Sequence, residues 1–135
     1  MWSSALACLA TAVYFEARGE IPDGQIAVAE VIVNRVEDPR FPDDVCSVVR
    51  ENRRPGELHR CQFSFYCNGQ PERVTDWTAW HRAKEVAGGV LDGSLRLGVE
   101  ATHYHATTVE PFWADHYIDI GQIGNHRFYV TEFEG

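Results

Sequence analysis

One long apolar run, residues 25–36, constrains the fold of this chain more than any other feature. Its twelve residues are apolar nearly all round and contain no turn signal, which favours a helix despite several β-branched side chains. Pro22 stands just before the run, at a position suited to the first turn of a helix. A helix without a broad polar face must be covered on every side, so we predict a buried central helix. Glu30, the acidic residue inside the run, is interpreted as part of a narrow solvent-facing stripe on this helix.

Shorter signals place the remaining elements around this helix. They predict helices over 6–18, 43–50 and 77–91, a strand at 62–66, an extended segment or short helix at 102–105, a turn at 111–113 and a strand at 126–130. The chain has no internal repeats, linkers or low-complexity tracts, so residues 1–135 are predicted to form a single domain. The predicted fold class is α+β, mainly helical, with a small β region.

The chain is strongly acidic. Its 20 Asp and Glu residues against 12 Lys and Arg give a net charge of −8. Nucleic-acid binding needs clustered cations, so no nucleic-acid partner is expected. No stretch approaches the roughly 20 apolar residues that span a bilayer, so no membrane insertion is expected. The opening segment has no positively charged start and continues into Tyr14 without a polar break, so it is interpreted as the first helix rather than a signal peptide.

Four cysteines, Cys8, Cys46, Cys61 and Cys67, allow three disulfide pairings. None of them forms a C-x-x-C pair, which disfavours a zinc ribbon or a thioredoxin-like site. A Cys46–Cys61 bridge would close a loop of about 15 residues, a constraint worth on the order of 3 kcal/mol, and would leave Cys8 to pair with Cys67. The alternative is four buried free thiols, because cysteine is commonly buried without bonding.

Glu16 is the strongest candidate for a catalytic residue. It follows Tyr14 and Phe15 at the end of an apolar helix, where loss of hydration disfavours the charged carboxylate and raises its pKa. A carboxylic acid that stays protonated near neutral pH can donate a proton to a leaving oxygen. The alternative is a surface ion pair with Arg18. Glu20 is interpreted as a residue that helps to cap the second helix.

Several short motifs, taken together and in order, resemble the catalytic domain of SleB/CwlJ-type cell wall hydrolases, the spore cortex-lytic enzymes and their relatives in bacteria and phages. The matching residues are Glu16-Ala17-Arg18-Gly19-Glu20, 24–29, 33–36, Phe41-Pro42, Val45-Cys46, 61–65, 101–105, 111–114 and 123–129. They cover nearly the whole chain. The resemblance implies a lysozyme-like, lytic-transglycosylase-like domain that cuts peptidoglycan glycan strands between N-acetylmuramic acid and N-acetylglucosamine, with Glu16 as the catalytic acid.

A single glutamate favours lytic transglycosylation over hydrolysis. Inverting and retaining hydrolases need a second carboxylate at about 6.5–9.5 Å or 5–5.5 Å, respectively, and the sequence offers no convincing partner for Glu16. In a transglycosylase, one glutamate protonates the glycosidic oxygen and then accepts the proton of the sugar's own C6 hydroxyl, giving a 1,6-anhydro end. Hydrolysis remains the alternative outcome, because the two reactions differ in whether water reaches the intermediate.

The resemblance also suggests residues that bind the substrate. Gln62, Phe63 and Ser64 are expected to form a groove wall near Glu16, with an ordinary strand as the alternative. His103, Tyr104 and Trp113 are expected to form the opposite face of the groove, which would stack on sugars and hydrogen-bond to them. The closing motif contributes His126 and Tyr129, with a structural role for His126 as the alternative.

Two other functions are compatible with the sequence. A zinc-dependent amidase or peptidase could use His103 and His105, with Asp115 or His116 as a third ligand. A non-catalytic glycan-binding module could use the same aromatic residues. The preferred reading needs no metal or cofactor, takes peptidoglycan glycan strands as its partner and expects a monomer. The activity is expected at the cell wall, in the periplasm or outside the cell, in a phage endolysin or a fragment of an exported enzyme.

Overall fold

The computed structural model describes residues 4–51, 63 and 73–131. Its elements, in chain order, are α1 (Ser4–Ala17), α2 (Pro22–Val36), α3 (Val45–Val49), α4 (Trp77–Asp92), β1 (His103–Ala106), a short 3₁₀ helix (Phe112–His116), β2 (Ile118–Ile123) and β3 (His126–Val130). This mainly helical α+β architecture confirms the predicted fold class. The strand predicted at 62–66 lies outside the described residues apart from Phe63. Among the described segments, no helix is long and apolar enough to cross a membrane.

Helix α2 is the central helix that its sequence predicts. One side packs in a cluster with α1, α3 and α4, and the other packs with Ala101 and Phe128 beside the sheet. Pro22 occupies the first turn, and Ile21 at the N-cap makes no side-chain capping bond. The α2 residues buried in the two clusters are Ile26, Ala27, Val28, Ala29, Val31, Ile32 and Val33. Covering α2 on both sides fixes the sheet relative to α1, and this arrangement positions the candidate site.

The interpretation of Glu30 as solvent-facing is wrong. The residue is 2% exposed, and its carboxylate accepts hydrogen bonds from the backbone N–H groups of Leu97 (2.9 Å) and Gly98 (3.1 Å). A buried acid is tolerated when donors compensate for its lost hydration. Glu30 therefore anchors the segment between α4 and β1 to the central helix.

Replacing Glu30 by alanine is expected to destabilise the domain by about 3 kcal/mol, because two backbone N–H groups lose a charged acceptor and a cavity is left where the buried side chain was. Chemical denaturation of Glu30→Ala and Glu30→Gln measures the effect, and the glutamine variant should lose less because it retains one acceptor oxygen. Glu85→Ala is the matched control, since Glu85 is exposed on α4. Equal stabilities of the Glu30 and Glu85 alanine variants would contradict this role.

The sheet has the strand order β1-β3-β2, with both pairings antiparallel. Strand β3 matches the predicted 126–130, and β1 shows that residues 103–106 are extended rather than helical. Strand β2 is not predicted by the sequence. Its pairing with β3 shifts register between Asp119 and Gly121, where Gly121 has φ +126°. This irregularity breaks the alternation by which strands are detected.

A disulfide joins Cys8 of α1 to Cys46 of α3. The predicted Cys46–Cys61 pairing is therefore wrong, as are its complement Cys8–Cys67 and the reading with four free thiols. Packing of α3 on α1 brings the two Cα atoms to 5.2 Å, which is a normal separation for a disulfide. Cys61 and Cys67 lie outside the described residues.

Candidate active site

Glu16 lies in the last turn of α1, one residue before the helix ends at Ala17. Its side chain is half-buried, and Oε1 accepts a hydrogen bond of 2.7 Å from the hydroxyl of Tyr104. Tyr104 belongs to β1, so the contact joins the helical part of the domain to the sheet. The carboxyl is therefore held in a fixed orientation by a residue 88 positions later in the chain.

Burial raises the pKa of Glu16 above the usual value of a glutamate. The hydrogen bond from Tyr104 and the charges of His126 and Arg35 act in the opposite direction, but they do not cancel the effect of burial. Burial, and then the neighbouring Glu16 charge, raise the pKa of Tyr104 well above its usual range. Tyr104 thus remains a proton donor in the hydrogen bond, and Glu16 has the raised pKa expected of a general acid.

Arg18 does not pair with Glu16. Its guanidinium donates to the hydroxyl of Tyr14 and lies over the Tyr14 ring, 4.8 Å from the centroid. The same hydroxyl accepts bonds from the backbone N–H groups of Thr75 (3.1 Å) and Asp76 (3.0 Å), where α4 begins. The surface ion pair considered as an alternative role for Glu16 is therefore absent between these two described residues.

Glu20 holds the turn between β2 and β3. Its Oε1 accepts a 2.7 Å hydrogen bond from the backbone N–H of Asn125 and lies 3.3 Å from Nδ1 of His126. Partial burial raises the pKa of Glu20, but the hydrogen bonds of Asn125 and the contact with His126 outweigh it and leave the pKa below its usual value. Gly124 has φ +59°, and a Cβ there would lie 2.5 Å from Oε1 of Glu20. Glu20 thus binds this turn instead of capping α2 as interpreted from the sequence.

His126 connects the Glu20 turn to the hydrogen-bonded pair of Tyr104 and Glu16. It is 9% exposed, and its ring meets the ring of Tyr104 edge to face at 5.1 Å between centroids. Glu20, His126, Tyr104 and Glu16 therefore form a continuous chain of contacts from the hairpin to the end of α1. This placement supports the structural alternative for His126. A direct contact with substrate stays a prediction.

The sheet separates the residues that the sequence assigned to one sugar-stacking face. Neighbouring residues of a strand point to opposite faces, so His103 and His105 lie on the face opposite Tyr104. Trp113 of the 3₁₀ helix packs against this second face, at 5.5 Å from His103 and 5.3 Å from Tyr129 between ring centroids. The grouping of His103 and Trp113 with Tyr104 is thus wrong, and Tyr129 also lies away from Glu16.

The groove wall assigned to residues 62–64 is described only at Phe63. That side chain is 2% exposed and belongs to the helical core, which agrees with the alternative of an ordinary core residue and leaves no accessible ring for a sugar. Gln62 and Ser64 lie outside the described residues.

A zinc site at His103 and His105 finds no support in the geometry. Nε2 of His105 lies 2.7 Å from the Tyr129 hydroxyl, and Nδ1 lies 2.7 Å from the carbonyl oxygen of Ala106. Within residues 4–51, 63 and 73–131, no three His, Cys, Asp or Glu side chains converge as metal ligands.

Asn34 and Arg35 support the site, although the motif at 33–36 did not assign them a role. Arg35 is 3% exposed; its Nε donates a 2.7 Å bond to the carbonyl oxygen of Thr102, and its guanidinium lies over Phe41. Asn34 donates 2.8 Å bonds to the carbonyl oxygens of Val99 and Ala101. Both residues fix the entry into β1 and so the position of Tyr104. Two adjacent polar residues inside an apolar helix were the signal that could have revealed them.

The mainly helical fold with its small three-stranded sheet is already known from solved structures. The catalytic domain of the germination-specific lytic transglycosylase SleB from Bacillus anthracis matches with a TM-score of 0.75 and 31% identity, over 95% of this chain and 96% of that one. The catalytic domain of SleB from Bacillus cereus matches with a TM-score of 0.68 and 30% identity, over 96% and 92% of the two chains.

Residues 19–129 match the family model described as Cell Wall Hydrolase, and the chain belongs to this family. Glu16 lies just before the matched range. Spore cortex-lytic enzymes are 34% identical over 120 residues in Halalkalibacterium halodurans and over 121 residues in Oceanobacillus iheyensis. Each match covers 89% of this chain but only 33% and 39% of the respective relative. The chain thus spans between a third and two fifths of the length of these relatives.

Proposed function

We propose that this domain cleaves the glycan strands of peptidoglycan between N-acetylmuramic acid and N-acetylglucosamine by lytic transglycosylation. The observation that carries the proposal is the half-buried carboxyl of Glu16, with its raised pKa and its hydrogen bond to Tyr104. The likeness to the catalytic domain of the germination-specific lytic transglycosylase SleB from Bacillus anthracis supports the same reaction class. Residues 1–135 are proposed to act as one catalytic domain at the cell wall, in the periplasm or outside the cell, and as a monomer.

In the proposed first step, protonated Glu16 gives its proton to the glycosidic oxygen as the bond from C1 to that oxygen breaks. The N-acetylglucosamine end leaves as an alcohol, and positive charge develops at C1 of the muramic acid. The carboxylate formed on Glu16 is stabilised by the hydroxyl of Tyr104, which donates to Oε1.

In the second step, the C6 hydroxyl of the same muramic acid attacks C1, and the Glu16 carboxylate accepts the hydroxyl proton. A new bond joins O6 to C1, the 1,6-anhydro ring closes and Glu16 is protonated again. No second carboxylate is required. The acid nearest in sequence, Glu20, is engaged by Asn125 and His126, and its lowered pKa suits a structural anion.

Mass spectrometry of muropeptides released from purified peptidoglycan tests the reaction type. Transglycosylation predicts products one water lighter than those of hydrolysis, because the anhydro ring replaces the reducing end. A product mixture with reducing ends throughout would show that water, rather than the C6 hydroxyl, attacks C1.

Tyr104→Phe is expected to lower kcat by about 10- to 100-fold, because the carboxyl loses the donor that orients it and stabilises its charge. Since that hydrogen bond also lowers the pKa of Glu16, its loss should move the alkaline limb of the pH–rate profile to higher pH. Turnover of a soluble peptidoglycan fragment across pH measures both effects.

Tyr117→Phe is the matched control for this variant, because Tyr117 packs against His103 and Trp113 on the other face of the sheet. Its rate and pH profile should equal those of the unaltered protein. An unchanged alkaline limb in Tyr104→Phe would show that the hydroxyl does not act on the acid.

A further inference from the structure

A polar cavity of about 640 Å³ lies on the face of the sheet opposite Glu16. It is formed between the outer face of the strands and the segment that leads into the 3₁₀ helix. Its lining includes His105, Phe112, Asp115, Asp119, Arg127 and Tyr129. The volume is within the range of sites that bind small molecules, and the proposed reaction makes no use of this cavity.

The aromatic side chains beside the cavity pack against one another. The rings of His105 and Tyr129 stack at 5.3 Å and share a 2.7 Å contact between Nε2 and the hydroxyl. Trp113 supports both rings at 5.7 Å and 5.3 Å between centroids. The ring orientations are therefore set before any ligand binds, which reduces the entropic cost of binding.

Three polar side chains of the lining are joined by hydrogen bonds. Asp119 accepts a 2.7 Å bond from Nε of Arg127 and a 2.9 Å bond from the backbone N–H of Gly121. Arg127 donates a second bond, 3.2 Å long, to Oε1 of Gln122. These three side chains present planar donor and acceptor groups, and all of them border the cavity.

The mouth of the cavity carries an exposed ring and further carboxylates. Phe112 is 86% exposed, the largest exposed fraction among the large apolar side chains of the described residues. Asp115 and Glu110 lie on the same rim and are exposed. An exposed aromatic face beside hydrogen-bonding groups can pack against a sugar ring while its hydroxyls are satisfied.

The charge of the cavity lining favours the sugars of peptidoglycan over its peptide stems as a ligand. The lining contains three carboxylates, Glu110, Asp115 and Asp119, and one guanidinium, Arg127, and the whole chain carries a net charge of −8. Such a surface repels the carboxylates of a peptide stem, whereas the hydroxyl and amide N–H groups of a neutral sugar can donate to it.

We propose that this cavity is a second, non-catalytic site that binds a neutral stretch of N-acetylated glycan, an assignment of ligand that rests on the proposed function. Binding on both faces of the sheet would let the domain remain attached to an insoluble wall while Glu16 acts on another segment of glycan. The site would add to retention on the wall without changing the chemistry of cleavage.

The test uses triacetylchitotriose, a soluble neutral oligomer of N-acetylglucosamine, with the Glu16→Gln variant, so that cleavage does not interfere. Titration followed by NMR should shift the Nε–H signal of Arg127 and the indole N–H signal of Trp113. Adding Phe112→Ala is expected to weaken this binding about 5- to 10-fold, and adding Asp115→Asn should weaken it as well.

Trp77→Ala is the matched control, because Trp77 is 62% exposed on α4 and does not border the cavity. It should leave the affinity unchanged. Shifts confined to Tyr104 and His126, or equal affinities of the Phe112 and Trp77 variants, would overturn the second site. A response to a free stem peptide but not to the sugar would overturn the choice of ligand.

Retention on purified insoluble peptidoglycan gives an independent measurement with the catalytically intact protein. Phe112→Ala should be released more readily than Trp77→Ala, while both cleave a short soluble fragment at the same rate. Failure of the proposed reaction would appear differently, as cleavage by the Glu16→Gln variant, and would leave the binding results standing.

Discussion

Glu16→Gln is expected to lower the rate of peptidoglycan cleavage by about 10²- to 10⁴-fold, the usual contribution of a general acid. Glutamine keeps the size of the side chain and can accept the hydrogen bond from Tyr104, but it has no proton to give to the glycosidic oxygen. The loss should therefore appear in kcat, while binding of the glycan remains close to that of the unaltered protein. Release of soluble muropeptides, quantified by chromatography, measures the change.

Glu85→Gln is the matched control, since Glu85 lies exposed on α4 and its amide should leave the rate unchanged. A Glu16→Gln protein that still cleaves at the normal rate would remove the proposed acid. Retained binding together with lost cleavage would separate an enzyme from a non-catalytic glycan-binding module.

The raised pKa of Glu16 gives the same variant a second expected property. The pKa of Glu16 in the folded protein exceeds the value of about 4.3 for a glutamate in the unfolded chain. Between these two pKa values the folded state binds more protons than the unfolded state, so stability falls as the pH rises through this window. Glu16→Gln should thus melt at a higher temperature than the unaltered protein at pH values above the window, and the difference should shrink below about pH 4.

Activity of the unaltered protein should follow the protonation of the same carboxyl. Glu16 must carry its proton to act as the acid, so the rate should fall as the pH rises through its raised pKa. A rate that stays constant from mildly acidic to alkaline pH would contradict this assignment.

The helices and the burial of Glu16 could be predicted because their signals are local. The apolar run of α2 and the aromatic residues before Glu16 each lie within one helix, where spacing reports burial directly. Glu30 shows the limit of this reasoning. Its position in a helix does not reveal that two N–H groups from residues 97 and 98 will reach it.

The partners of Glu16 could not be predicted in the same way, because they come from distant parts of the chain. Tyr104 reaches it only after the sheet has packed on α2, and His126 is placed by the Glu20 turn. Strand alternation could have separated His103 from Tyr104, since adjacent residues of a strand face opposite ways. The position of Trp113 depended on the path of a loop that no periodic pattern describes.

Replacing both Cys8 and Cys46 by alanine is expected to lower the free energy of unfolding by about 4 kcal/mol, the largest change in stability expected for this domain. The bridge spans 38 positions, and the loss of chain entropy in the unfolded state grows with the length of the closed loop. Denaturation without reductant, compared with a Cys61→Ala/Cys67→Ala protein that keeps the bridge, measures the effect.

The observed bridge also shows that loop length is a poor guide to which cysteines pair. The entropic cost of closure changes only slowly with loop length, so packing decides which cysteines meet, and α3 packs directly on α1 next to Cys8. A peptide map of the unreduced protein should show the fragment with Cys8 linked to the fragment with Cys46. Linkage of Cys46 to Cys61 would contradict the packing of α3 on α1. The placement of Glu16 depends on this packing, since α1 carries both Cys8 and Glu16.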